Sequence, residues 1–321
     1  MKAILSLSLA AVLFTAPAML LRADDSASLL DAARKAVAKS DVPGATEKFE
    51  QALTATAPTD KRLAVIALEY AQFLKRNKGV DRAVAMAKAA SEKQKSAGVA
   101  PIDRVAVLTV LAEAEVARND KAAFESTEVE LVKTWTEAVG PSQPVVANNL
   151  LRLAQTYMLN AKYADAVKAA SDAVEILKKS HGPDNPATGY ALSILAPAQA
   201  RSGQMAAATE TSKAARAIME KTLDPKARPI GAGIVAPKIV SRVEPEYSEA
   251  ARKAKIQGAI SMSLTIDESG EAKNVTVLIP LGAGLDEKAV AAVKIWKFEP
   301  ATKNEDPVAV RSQVEVNFRL L

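Results

Sequence analysis

A 42-residue period in the middle of the chain restricts its fold more than any other feature. The segment GPSQP at 140–144 recurs as GPDNP at 182–186, 42 residues later. A Leu-x-x-Leu-Ala pattern keeps the same period and begins at Leu108, Leu150 and Leu192. Several independent positions that keep one period indicate a stack of similar units, each of which contacts mainly its neighbours.

Each unit is predicted to be a pair of helices. Apolar residues three or four positions apart lie on one face of a helix. The unit shows this spacing twice, on a first helix with Leu150, Leu153, Ala154 and Tyr157 and on a second with Tyr163, Ala166, Ala170 and Val174. Residues 160–162 form the turn, and less regular copies of the unit occupy about 27–57 and 60–97. A helical pair cannot bury its apolar face alone, so the units are expected to stack.

Three short motifs characterise the best-preserved units. They are Leu153-Ala154-x-x-Tyr157, Lys162-Tyr163-x-x-Ala166 and HGPDNP at 181–186. With these motifs, residues 24–222 resemble the tetratricopeptide repeat (TPR) family, in its long kinesin-light-chain type of unit. The resemblance implies an α-solenoid whose concave face binds an unidentified protein or peptide, with Asn148, Asn149 and Arg152 as the candidate contacts. A spacer or a dimerisation surface is the alternative interpretation of the array.

The helical period stops at residue 223. Residues 223–240 are predicted to be an exposed linker, because 223–237 contains three prolines and two glycines. In residues 241–321 the apolar residues then alternate with polar ones, as in a half-buried strand. The predicted order is a helix at 246–255, strands at 259–267 and 271–280, a helix at 285–297 and a strand at 308–320. This α-β-β-α-β order indicates a small α+β domain with a three-stranded sheet.

Seven motifs follow one another in the C-terminal domain. They are VEPEY at 243–247 with AAR at 250–252, QG at 257–258, DxxG at 267–270, LDxxA at 285–289, WxFxPA at 296–301, PV at 307–308 and VxF at 316–318. In this order and spacing they resemble the TonB C-terminal domain family. The chain departs from the family pattern at Ser248, where proline is usual, and at 304–307, where NEDP replaces an Asn-Gly-Lys-Pro turn. Ala292, Ile295 and Trp296 are expected to pack towards the sheet.

By this resemblance, the last strand is the edge to which an extended receptor segment adds. An edge strand leaves backbone N–H and C=O groups unpaired, so a further strand can bind them. The residues predicted to flank the bound segment are Arg311, Gln313, Glu315 and Asn317. The alternative is that these four are ordinary solvated residues of a protected edge.

The first residues of the chain predict export from the cytoplasm. Lys2 precedes an uncharged, mostly apolar run at 3–21, and Ala16-Pro17-Ala18 offers the small residues of a cleavage site. Residues 1–23 are therefore expected to be a signal peptide or, if they are not cleaved, an inner-membrane anchor. Both outcomes place the remainder of the chain outside the cytoplasm, and the resemblance to the TonB family implies that this is the periplasm of a Gram-negative cell envelope. Only an uncleaved segment would contact the membrane.

Composition argues against catalysis and against nucleic-acid binding. The chain has no cysteine and a single histidine, His181, and its acidic residues form no recognisable catalytic pattern. We therefore expect no enzymatic activity, no cofactor and no metal site. The net charge of +5 is modest, and no run of Lys or Arg forms a basic stripe.

Two functions remain consistent with the sequence. In the first, a periplasmic TonB-family protein binds TonB-dependent outer-membrane receptors and supports energised transmembrane transport, with inner-membrane motor proteins as further partners. The repeats then serve as a protein-interaction scaffold. In the second, the chain is a motor-independent periplasmic adaptor that joins two protein partners.

Overall fold

The computed structural model describes residues 25–231 and 233–320, so the predicted export signal lies outside the described residues. Within them, ten helices precede the C-terminal domain. Their bounds are α1 Asp25–Ala38, α2 Val42–Ala55, α3 Arg62–Arg76, α4 Val80–Ser96, α5 Pro101–Arg118, α6 Lys121–Val139, α7 Pro144–Leu159, α8 Tyr163–His181, α9 Pro186–Arg201 and α10 Met205–Glu220. Successive helices pair as hairpins 1 to 5 and stack on their neighbours. The predicted solenoid is confirmed.

The recurring GPxxP segment ends one hairpin and begins the next. Gly140 and Gly182 follow the last residues of α6 and α8 and have φ angles of +89° and +95°. Glycine accepts such angles without the steric cost that a Cβ atom would add. Pro144 and Pro186 are the first residues of α7 and α9, where a proline lacks only an N–H that would have no helical partner. The 42-residue period therefore repeats a stop signal together with a start signal.

Small and aliphatic side chains fill the core of the array. In hairpins 4 and 5 the buried residues are chiefly alanine and leucine, including Ala154, Ala170, Ala173, Leu177 and Leu195. In hairpins 1 and 2 the ring of Phe49 stacks on Tyr70, with 5.0 Å between their centroids. Small residues let helices approach closely, which agrees with the low aromatic content of 4%.

The C-terminal domain contains short strands around one larger sheet. Its elements are β1 Arg228–Pro229, β2 Ile234–Val235, β3 Lys238–Ser241, α11 Glu249–Lys253, β4 Gly258–Ile266, β5 Ala272–Ile279, α12 Leu285–Val293, β6 Lys297–Glu299, β7 Thr302–Lys303, β8 Asp306–Pro307 and β9 Val310–Phe318. The larger sheet has the order β1-β9-β4-β5, and β4 is antiparallel to both β5 and β9. The predicted α-β-β-α-β core, which is α11-β4-β5-α12-β9, is confirmed.

The segment predicted as a linker is paired with the C-terminal domain. Its strand β1 runs parallel to the start of β9, and β2 runs antiparallel to β7. Its third strand, β3, pairs with β6. The side chains of these three strands are mostly exposed. The larger sheet consequently has a fourth, two-residue strand that the predicted three-stranded sheet lacked.

Trp296 anchors the segment that follows α12. Its side chain is 4% exposed, and its indole Nε1–H donates a hydrogen bond of 2.9 Å to the carbonyl of Val243. Phe298 is also buried, with 6.4 Å between the two ring centroids. Ile295, in contrast, is 57% exposed. The prediction that Ile295 packs towards the sheet is wrong, because α12 ends at Val293 and helical spacing does not extend to position 295.

The two departures from the TonB family pattern have local structural roles. Ser248 caps α11, since its Oγ accepts a hydrogen bond of 3.0 Å from the amide of Ala251. The same hydroxyl donates to the carbonyl of Ala283 in the loop before α12. Asn304 and Glu305 form the turn between β7 and β8 with φ angles of +52° and +72°. Glu305 therefore adopts a left-handed conformation that glycine would adopt at lower cost.

A tight turn joins β4 to β5 and contacts β6. Asp267 Oδ1 accepts hydrogen bonds from the amides of Ser269 and Glu271. Gly270 has a φ of +80°, and its carbonyl accepts a hydrogen bond of 3.0 Å from the amide of Phe298. A Cβ atom at position 270 would lie 1.9 Å from the carbonyl oxygen of Phe298. Glycine is thus required at 270 both by the backbone angle and by the lack of space.

Candidate protein-binding surfaces

The open side of β9 is the first candidate surface. On its other side, β9 pairs with β4 over its whole length, from Val310 opposite Ile266 to Phe318 opposite Gly258. On the open side, β1 covers only Val310 and Arg311. Within the described residues, no strand lies beside 312–318 on that side. The backbone groups that point outward there are available to an added strand.

The four side chains predicted to flank a bound segment lie together on one face of this sheet. Gln313, Glu315 and Asn317 are exposed and Arg311 is partly exposed, whereas Val310, Val316 and Phe318, which point to the other face, are buried. The strand register places Gln313 opposite Ser263 and Glu315 opposite Ser261 on β4. The face that carries the predicted residues is therefore polar, while the opposite face covers the domain core.

The other outer strand, β5, has a different environment. It contacts helix α9 of hairpin 5, and Leu278 on β5 is 2% exposed. The sheet thus has one outer strand that lies against the repeat array and one that is largely open. The sequence motifs give no sign of this difference, because it depends on a contact between segments that are far apart in the chain.

The three residues predicted on the concave face of the repeats have intramolecular partners. Asn148 Nδ2 donates a hydrogen bond to the carbonyl of Pro280, in the C-terminal domain. Asn149 is buried and donates to the carbonyl of Val145, one turn earlier in the same helix, at 2.7 Å. Arg152 donates to Asn149 Oδ1 at 3.0 Å and to Glu128 Oε2. The structure thus brings Asn149 and Arg152 together, and places Asn148 at an internal interface.

The Glu128–Arg152 pair is a buried ionic contact between α6 and α7. The Glu128 side chain is fully buried, whereas that of Arg152 is 45% exposed. Burial raises the pKa of Glu128, and the charge and hydrogen bond of Arg152 oppose this rise. Because the Glu128 side chain is fully buried between the two helices, the pair is better explained as internal structure of the array than as a ligand contact.

Two further properties concern membrane spans and metal sites. Among residues 25–231 and 233–320, no helix is both long enough and apolar enough to cross a membrane. In that same part of the chain, no three His, Cys, Asp or Glu side chains lie close enough together to hold a metal ion.

Two parts of the chain match known protein families. Residues 243–320 match the family model of the Gram-negative bacterial TonB protein C-terminal. Residues 145–221 match the family model of the tetratricopeptide repeat. Both predicted resemblances are confirmed. The chain thus carries a C-terminal domain similar to that of TonB proteins, after a repeat array of the tetratricopeptide type.

Curated relatives match the C-terminal region. Protein TonB of Vibrio cholerae serotype O1 is 35% identical over 86 residues, which is 26% of this chain and 35% of that protein. Protein TonB of Xanthomonas campestris pv. campestris strain B100 is 36% identical over 77 residues, 24% of this chain and 34% of that protein. The match thus spans about a third of the length of these relatives, 35% and 34%.

Solved structures match the repeat array. TPR-like repeats of a kinesin light chain from Podosopora anserina align with a TM-score of 0.47 and 23% identity, over 63% of this chain and 98% of that one. BtubC (BKLC) from P. vanneervenii aligns with a TM-score of 0.45 and 16% identity, over 67% of this chain and 97% of that one. MamA aligns with a TM-score of 0.44 and 16% identity, over 65% and 99%.

Proposed function

We propose that this chain is an exported periplasmic protein whose C-terminal domain binds TonB-dependent outer-membrane receptors by strand addition to β9, in support of energised transport. The observation that carries the proposal is the open edge at 312–318, in a domain that matches the TonB C-terminal family. The repeats hold the domain and supply a protein-interaction scaffold. The proposal assigns no catalytic role, cofactor or metal to the chain.

The length of the open edge limits what it can bind. Alternate residues of a strand direct both their N–H and C=O groups to the same side. Three or four of the residues at 312–318 therefore face an incoming strand. Each backbone hydrogen bond contributes a net of about 0.5–1.5 kcal/mol, so the edge suits a short extended segment. Since β1 pairs with Val310 and Arg311, the added strand is expected to stop before it reaches them.

Backbone pairing predicts a distinctive result in a peptide-binding experiment. Peptides from the N-terminal segments of TonB-dependent receptors would be titrated against the chain by fluorescence anisotropy, with single backbone amides N-methylated in turn. If the peptide adds to β9, methylation at alternate positions should weaken binding about tenfold, equivalent to about 1.4 kcal/mol, and the positions between them should tolerate it. Binding without this two-residue period would contradict strand addition, and the absence of binding would contradict the proposal.

The position of the bound peptide can be tested with a matched pair of variants. Because the chain has no cysteine, Gln313→Cys and Lys273→Cys each give one site for a photo-activated cross-linker. Both side chains are exposed, on β9 and β5 respectively. The label at 313 should capture the peptide, and the label at 273 should not. Equal capture at both sites would argue against β9 as the binding edge.

The adaptor function is retained as a second candidate because of one observation. The array contacts the C-terminal domain through α5, α7 and α9, which is unlike a flexible spacer that transmits force. Mass spectrometry of the mature protein separates the two candidates. A first residue after Ala18 or Ala23 would favour the adaptor, whereas retention of residues 1–23 in the inner membrane would favour the transducer. Recovery from the cytoplasmic fraction would contradict both.

A further inference from the structure

The C-terminal domain rests on the first helices of three successive hairpins. Buried apolar residues from both parts form one cluster, in which Val105 and Leu108 of α5 and Val145 and Val146 of α7 join Leu281 and Leu285 of the C-terminal domain. Trp135 of α6 and Trp296 belong to the same cluster. The apolar core therefore continues from the repeats into the domain.

Polar contacts reinforce this interface on α5 and α7. Lys255 Nζ lies 2.6 Å from Asp103 Oδ1, at the start of α5. Asn148 of α7 donates to the carbonyl of Pro280. These two contacts join residues that are 152 and 132 positions apart in the chain.

The loop between β5 and α12 fits closely against the first residue of α7. A Cβ atom built at Gly282 would lie 3.1 Å from Cγ and Cδ of Pro144. Asp286 holds this loop in shape, because its carboxylate accepts hydrogen bonds from the amides of Leu281 and Gly282 at 2.8 and 2.9 Å. His181, the last residue of α8, lies 3.9 Å from the same carboxylate. The loop is thus shaped internally to contact hairpin 4.

We infer that the face formed by α5, α7 and α9 is a binding site for the chain's own C-terminal domain, and that this docking limits strand addition to β9. The partner that this face fits is a folded domain with an apolar loop, not an extended peptide. Docking occupies Asn148, which otherwise could have contacted an external ligand. It also places α9 against β5, while among the described residues no strand lies beside the 312–318 edge of β9.

The contact between α9 and β5 affects which edge of the sheet can pair with another strand. An open sheet has two edges, and each one can pair with another copy of the chain or with a non-specific strand. A helix placed against one edge removes that possibility. With α9 in contact with β5, an added strand is expected at β9 and not at β5.

The absence of cysteine allows a direct test of docking. The Cβ position built at Gly282 lies 3.6 Å from Cβ of Pro144, within the usual range for a disulfide. The double variant Pro144→Cys/Gly282→Cys should therefore cross-link in most molecules under mild oxidation. Leu159→Cys/Gly282→Cys is the matched control, since exposed Leu159 lies at the far end of α7, about 22 Å away along the helix. If the thiols of Pro144→Cys/Gly282→Cys stayed as free as those of the control, the docked arrangement would be overturned.

A second cysteine pair is needed because the φ of +80° at Gly282 is unfavourable for cysteine and could distort the loop. Asp103→Cys/Lys255→Cys places thiols on the ion-paired positions, where a short bifunctional maleimide should join them. Far-UV circular dichroism of the reduced variants verifies that each one folds. Failure of both pairs to cross-link in folded protein would refute docking.

Hydrogen exchange tests whether docking protects β5. The variant Asp103→Lys/Asn148→Asp puts like charge against Lys255 and removes the hydrogen bond to Pro280. Its β5 amides should exchange at least tenfold faster than in the unmodified chain, while exchange in β9 changes less than twofold. If the same two substitutions abolish the cross-link between Cys at 144 and 282 but leave exchange in β5 unchanged, α9 does not protect this edge.

Discussion

Replacement of Trp296 tests the account of the C-terminal core most directly. Its indole is 4% exposed and contributes one hydrogen bond, to the carbonyl of Val243. Trp296→Ala should lower the free energy of unfolding by about 3–5 kcal/mol, the usual cost for a buried aromatic residue. Trp296→Phe should cost about 2 kcal/mol, of which roughly 0.5–1 is the hydrogen bond and the remainder is lost apolar contact. The hydrogen-bond share is small because Val243 is exposed and water can replace the donor.

Urea titration followed by far-UV circular dichroism measures these losses. With a urea dependence of about 2–3 kcal/mol per molar, the midpoint should fall by about 1–2 M for the alanine variant and by less than about 1 M for the phenylalanine variant. Fluorescence then reports only Trp135, in the array. Since both tryptophans belong to one apolar cluster, the Trp135 transition should shift with the circular dichroism signal.

The neighbouring Ile295 is the matched control. It is 57% exposed, so Ile295→Ala should change stability by no more than about 0.5 kcal/mol. If Ile295→Ala were as costly as Trp296→Ala, the assignment of the buried side chain would be wrong. If the Trp135 transition did not move in Trp296→Ala, the shared core between repeats and domain would be refuted.

Three further perturbations follow from the geometry. Gly270→Ala should lower the free energy of unfolding by more than about 3 kcal/mol, since the added Cβ would lie 1.9 Å from a carbonyl oxygen. Gly203→Ala is the control, because position 203 has open space and a φ of +86°. It should cost only about 1–2 kcal/mol in thermal or urea unfolding. Glu128→Gln should weaken the pH dependence of stability. The pKa of Glu128 is raised by burial in the folded protein, so its stabilising contribution is complete below the unfolded value of about 4.5 and is lost as pH rises through the folded value. Asp103 and Lys255 should show a coupling of about 0.2–1 kcal/mol in a double-mutant cycle, because both are partly exposed.

Each of these has an outcome that would contradict it. Equal costs for the two glycine variants would show that the turn at 270 has room for a side chain. A steeper loss of stability with rising pH in Glu128→Gln than in the unmodified chain would reverse the sign argued for that carboxyl. Zero coupling between Asp103 and Lys255 would mean that the ion pair does not persist in solution.

Much of the local structure could be predicted from residue patterns. The GPxxP segments mark the junctions before α7 and α9, because glycine and proline act through their own backbone conformations. Alternation in 259–267 predicted β4, since the side chains of a strand point in turn to opposite faces. The face that carries Gln313, Glu315 and Asn317 followed from the same rule.

Other features could not be predicted in this way. Ile295 looked like a core residue only if α12 continued past Val293, and the end of a helix is poorly defined by spacing. The two residues of β1 are too few to show a period, so their pairing with β9 had no sequence signal. Asn148 is predicted on the concave face of the repeats, and its hydrogen-bond partner 132 positions away has no signal in any short pattern.

The sequence by itself determined the two kinds of unit, helical hairpins followed by a small sheet, because periodicity and turn residues act over a few neighbouring positions. Only the tertiary structure decided that the sheet lies on the repeats, that α9 is placed against β5, and that the edge of β9 remains open at 312–318. These outcomes depend on which surfaces meet across more than 100 residues of chain, as Asp103 and Lys255 do over 152 positions. The free energy of such a contact belongs to both surfaces together, so neither local pattern contains it.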